Sequence, residues 1–137
     1  TPACGAVNPM GALGVGAGAS ICAYFAVAAI KEKLGYDDSL DVFGVHGVAG
    51  IWGALAAGLW ATADVTGGAE GFFYNQQITQ ILIQAKAVIY TIVYSGVVSF
   101  ILAKIVQAVV GLRADEDAES VGMDLSDHAE HAYTVVD

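Results

Sequence analysis

Charged residues divide the chain into three long apolar blocks. Residues 1–30 carry no charge, and neither do residues 87–103, which Lys86 and Lys104 bracket. Residues 42–63 are also uncharged, with His46 as their one titratable group. Crossing a bilayer takes about 20 apolar residues, roughly 17–25. The pattern therefore predicts three transmembrane helices, over about 10–31, 41–63 and 76–111. The third is longer than a membrane requires, so it tilts or runs on into water, with lysine stems reaching along the apolar surface. A soluble protein with three buried helices is the competing reading. It is disfavoured because three helices cannot bury one another on every side.

Small residues recur along the first two blocks. Gly14, Gly18 and Cys22 share one stripe, and Gly50, Ala54 and Gly58 share another. Such stripes let helix backbones approach closely in lipid. The third block has Val, Ile, Tyr and Phe instead, with Ser95 and Gly96 midway. It reads as a lipid-facing brace, bent near Gly96. Gly67, Gly68 and Gly71 mark a loop.

Composition supports the membrane reading. Of 137 residues, 56% are hydrophobic and 14% charged, against roughly 25% charged in a soluble domain. The net charge of −9 excludes a nucleic-acid partner, which needs basic surface. Two cysteines, Cys4 and Cys22, cannot build a disulfide framework. The sequence opens on Thr1 with no signal-peptide pattern, and a piece of a longer protein is expected. Lys31, Lys33, Lys104 and Arg113 fall on one side of the membrane and Lys86 on the other. That bias places the loop 31–41 and the C-terminal tail in the cytoplasm, and the N-terminus and the loop 64–75 outside. Trp60, Phe72, Phe73 and Tyr74 then anchor at the outer interface. Eight of the 14 acids lie after Arg113, giving an acidic, solvated tail.

His46 is the residue that suggests chemistry. It lies a little over one turn into the second block, in Asp-Val-Phe-Gly-Val-His-Gly-Val-Ala-Gly-Ile-Trp-Gly, residues 41–53. An ionisable side chain in a membrane helix is a functional candidate by default. At helical spacing Val42, Ala49, Gly50 and Gly53 share its face. Apolar surroundings favour the uncharged form of an imidazole, which has one donor and one acceptor nitrogen. Such a ring can hold a small polar molecule or relay a proton. A structural histidine bonded to a neighbouring helix stays open on spacing alone. A proton-relay subunit of a membrane enzyme is a further reading, though no set of cofactor ligands accompanies it. His128 and His131, three apart in the tail, are weak evidence for a metal.

Residues 41–53 resemble the signature of ammonium transporters of the Amt/Mep/Rh family. The resemblance covers the whole chain. Thr1-Pro2-Ala3-Cys4-Gly5, with Val7 and Pro9, looks like the loop after the family's eighth helix. The three spans match helices nine, ten and eleven, and Gly111-Leu112-Arg113 looks like the cytoplasmic exit. Gly122-Met123-Asp124, followed by Leu125 to Tyr133, resembles the C-terminal Gly-Leu-Asp…His-Gly-Glu-x-Ala-Tyr motif and favours the Amt branch. Met123 stands for the usual Leu, Ala129 for the usual Gly, and Ser39 for the usual Pro.

The resemblance implies an all-α polytopic membrane protein: three helices of an eleven-helix fold (residues 1–111) and a cytoplasmic regulatory tail (112–137). It implies a plasma-membrane location and a homotrimer with full-length subunits. It also implies transport of ammonium as ammonia through an apolar pore, with no enzymatic activity and no cofactor or metal. His46 matches the second of the family's twin histidines and Val42 a hydrophobic pore position. Arg113, Asp124, His128, Glu130 and Tyr133 match the tail positions involved in control by PII signalling proteins. The chain by itself is expected not to transport. A regulatory or assembly module without its own transport is the alternative. Ser126 or Asp124 is expected to cap a short tail helix running through residue 132.

Overall fold

A computed structural model describes residues 1–131. Among them the chain is helical, with no strand beyond an isolated antiparallel bridge between Val7 and Ala61. Three helices are long and apolar enough to cross a membrane: α1 (Pro9–Leu34), α2 (Phe43–Trp60) and α5 (Thr79–Val109). Two short helices, α3 (Ala63–Thr66) and α4 (Phe72–Asn75), lie between α2 and α5. The chain divides into two compact units, residues 1–93 and 94–137.

In the first unit, local chemistry sets where α1 begins and ends. Asn8 takes the N-cap, its side-chain oxygen accepting from the Gly11 amide at 2.9 Å, and Pro9 occupies the first turn, where its missing N–H is not needed. Gly35 ends the helix in the left-handed conformation at φ 61°. Two stretches depart from α geometry: Ala26–Lys31 in α1 and Phe43–Val48 at the start of α2 are π-helical. The two π segments pack on each other. Gly44 is buried there, and a Cβ on it would meet Val27 Cγ2 at 2.7 Å and the Ala26 methyl at 3.4 Å.

The core of this unit is built mainly from alanines. Ala3, Ala56 and Ala57 are buried with Val15, and Ala6, Val7, Trp52 and Trp60 pack against them. No large side chain is fully buried among the described residues. In lipid, association rests on close van der Waals fit more than on sequestering bulky groups. The N-terminal segment folds back onto the end of α2, where the Thr62 amide donates to the Ala6 carbonyl at 3.0 Å.

The small-residue stripes work differently from the backbone-to-backbone approach expected of them. Gly14 and Gly18 receive indole rings: a Cβ on Gly14 would meet Trp60 Cζ2 at 2.9 Å, and one on Gly18 would overlap the Trp52 ring. Trp52 Nε1 donates to the Val15 carbonyl at 2.9 Å. In the second stripe Gly58 meets a backbone, that of Ile81 at 2.8 Å, while Gly50 has nothing within 4 Å. Trp60, expected to anchor at the interface, is half-buried between Gly11, Gly14, Trp52 and Phe73.

α5 is an uninterrupted α-helix through Gly96, with no buried residue. In the second unit, α6 (Glu116–Val121) and α7 (Met123–His128) follow. Gly122 joins them at φ 106°, where a side chain would be strained and its Cβ would meet Asp124 Oδ1 at 2.7 Å. The expected cap of α7 is corrected. Gly122 holds the N-cap position and has no side chain to cap with, while its carbonyl accepts the first helical bonds, from the Leu125 and Ser126 amides. The expected end of the helix, residue 132, lies outside the described residues, and the helix stops at His128. There Ala129 turns left-handed at φ 53° and its amide bonds to the Leu125 carbonyl at 3.1 Å.

Candidate functional site

His46 lies on the π segment of α2 and lines a recess of about 460 Å³ between α1, α2 and the N-terminal segment. Val15 and Ala19 come from α1, Pro2 from the N-terminal segment, and Val45, Ala49, Gly50 and Gly53 from α2. His46 is the only ionisable side chain on this wall. Its ring is exposed, and among the described residues no hydrogen bond ties it to a neighbouring helix.

Ala49, Gly50 and Gly53 share the wall with His46, as helical spacing predicts. Val42 does not line it; Val45 does. A π segment bonds each amide five residues back instead of four, so the turn is wider and the angular register shifts. Val42 sits just ahead of the segment, 49% exposed.

The segment is fixed from the 35–42 loop. Asp38 spreads its carboxylate over the start of α2, Oδ1 accepting from the Val42 amide and Oδ2 from the Phe43 amide, both at 2.9 Å. Those bonds, the Phe43 amide first, hold the Asp38 carboxyl below the usual carboxylate range, and the Lys31 charge adds to them. Lys31, the last residue of the π segment in α1, donates to the Asp38 carbonyl and to Asp41 Oδ1, both at 2.6 Å. Asp41 stands at φ 56°, which turns the chain into α2. Sequence reasoning missed Asp38, Lys31 and Val45. The signal for Asp38 was available: an aspartate pair just before an apolar helical run is a start signal.

The tail residues occupy the second unit. Arg113 forms a forked ion pair with Glu119, Nε to Oε1 at 2.8 Å and Nη2 to Oε2 at 2.9 Å. The Arg113 guanidinium thus ties the start of the tail to α6. That bond holds the Glu119 carboxyl below its usual range. Asp124 lies in the first turn of α7, His128 is its last residue, and the Glu130 amide bonds to the Asp124 carbonyl at 3.1 Å. Tyr133 lies outside the described residues. Among the described residues no group of three or more His, Cys, Asp or Glu side chains is placed to hold a metal.

A profile of the Ammonium Transporter Family matches residues 1–133. The chain belongs to the ammonium transporter family. An ammonium transporter of Aquifex aeolicus is 49% identical over 98% of this chain and 31% of its own length. One from Bacillus subtilis is 44% identical over 97% of this chain and 33% of its own. Ammonium transporter Amt1 of Archaeoglobus fulgidus is 44% identical over 98% and 34%. The chain thus spans about a third of the length of these relatives. Membership and the three apolar helices make it an all-α membrane protein.

Proposed function

We propose that this chain forms one wall of the conducting path of an ammonium transporter. The observation that carries the reading is His46: the one ionisable side chain on a mostly apolar recess that Thr1 also lines, in a chain of this family. A bare ammonium ion entering such a path loses its hydration at large cost. Giving up a proton removes most of that cost, and ammonia then moves along the apolar wall. His46, with a second histidine from a segment beyond these residues, accepts hydrogen bonds and passes the separated proton from ring to ring. Potassium has no proton to give and is rejected. Val42, outside the recess and exposed one turn ahead of His46, is a further pore position on the side of the 35–42 loop.

In this reading residues 1–111 are the membrane part, with the N-terminus outside. Residues 112–137 are a cytoplasmic tail, and the location is the plasma membrane. The chain works only with the other helices of an eleven-helix subunit, in a homotrimer. The tail, through Arg113, Asp124, His128, Glu130 and Tyr133, answers to a PII protein. The relatives' names support the substrate, and the resemblance of the tail motif supports the regulation. The test is His46→Ala in the full polypeptide. Selective ammonium uptake, scored against potassium at matched protein levels, is expected to be lost. Wild-type selectivity in that variant sinks the reading.

A further inference from the structure

An α-helix leaves its first amides without partners, and those of a π segment are one residue further displaced. In α2 these amides belong to Val42 and Phe43, and a single carboxylate takes both. Phe43 opens the π segment and His46 is its fourth residue. The geometry of the ring's backbone is therefore set within one turn of the Asp38 carboxylate. Asp38 is itself gripped. Lys31 Nζ bonds its carbonyl and pairs with Asp41, and both partners of that ion pair are about two-thirds covered. Lys31 closes the π segment of α1, whose Ala26 and Val27 face Gly44 in the π segment of α2. Two unusual turns are thus locked together at both edges, by an ion pair on one and glycine packing on the other.

We propose that Asp38, held by Lys31, is a positioning residue for His46: its carboxylate fixes the first turn of the π segment and with it the place of the ring on the recess wall. This rests on the transport reading of His46. It predicts that the ring moves when the carboxylate is removed, although neither Asp38 nor Lys31 lines the recess.

Two readouts separate this proposal from the reading it rests on. In the full polypeptide, isotope-labelled at histidine in lipid nanodiscs, the His46 resonance is assigned by its loss in His46→Ala. Asp38→Ala is expected to shift or split that resonance and to leave those of His128 and His131 in place. Lys31→Arg is expected to keep it, and Lys31→Gln to move it. A His46 resonance unmoved in Asp38→Ala overturns the proposal. If that variant does not reach the membrane, Asp38→Asn, which keeps one acceptor oxygen, is read the same way.

In Asp38→Ala and Lys31→Gln the maximal ammonium uptake per transporter is expected to fall about tenfold, with KM changed less than about twofold, and in Lys31→Arg to stay near wild type. A loss of protein alone, with the rate per transporter intact, means that Asp38 serves only folding and also overturns the proposal. A moved resonance in Asp38→Ala together with selective uptake by His46→Ala removes the transport reading and leaves the positioning standing.

Discussion

The indole of Trp52 lies across Gly18 and donates to the carbonyl of Val15 at 2.9 Å, so one ring both fills the gap between α1 and α2 and satisfies a helix carbonyl. Room for the ring exists only because position 18 has no side chain. Gly18→Ala is therefore expected to destabilise the helix pair by about 1–3 kcal/mol, the usual cost of overpacking. Gly16→Ala is the control, since nothing lies within 4 Å of its added methyl. Thermal unfolding in detergent should separate the two variants; equal midpoints would contradict the packing described.

Gly50 offers a different kind of test. A Cβ there meets nothing within 4 Å, yet the residue lines the recess beside His46. Gly50→Leu should fold and reach the membrane in normal amounts while narrowing the recess. Ammonium uptake per transporter should fall at least tenfold; unchanged uptake would place the conducting path elsewhere.

Ala129 holds a left-handed conformation at φ 53°, which costs an L-residue roughly 1–2 kcal/mol. Ala129→Gly is expected to stabilise the end of α7 by about 1 kcal/mol, after allowing for glycine's freer unfolded state. Amide hydrogen exchange reads this directly. The amides of Ala129 and Glu130, bonded to Leu125 and Asp124, should exchange several-fold more slowly.

Acid should release the start of α2. The Asp38 carboxyl is held below its ordinary value by the amides of Phe43 and Val42 and by Lys31. A depressed carboxyl contributes its stabilisation fully above its ordinary pKa, about 3.9, and loses it as pH falls through the lowered value. Exchange protection at the Val42 and Phe43 amides, corrected for intrinsic rates, should be flat above pH 5 and decline below pH 4 in the folded protein. The same decline in Asp38→Asn would show that another group is responsible.

What was legible in the sequence follows from what each physical effect writes there. Exclusion of charge from lipid is written residue by residue, so the three spans could be read, with ends displaced by two or three residues at most positions. Hydrogen-bond register leaves no such trace. Nothing in Ala26–Lys31 or Phe43–Val48 distinguishes a π turn from an α turn, and the exchange of Val42 for Val45 on the recess wall followed from that. Small-residue spacing was visible, but it does not say whether a glycine receives a backbone or an indole. Gly58 receives the first and Gly18 the second. In the tail, Glu119 is one of eight acids following Arg113, and only the fold of α6 singles it out.

Trp52 and Trp60 are the two tryptophans of this chain, and their rings stand 6.4 Å apart at 64°. Transition dipoles that close and that steeply inclined couple as an exciton pair. The intense indole band in the far-ultraviolet circular dichroism should therefore carry a paired signal that vanishes once α1 and α2 part. Refolding of the helix pair can be followed optically without an added label, and a Trp52→Phe variant supplies the uncoupled spectrum.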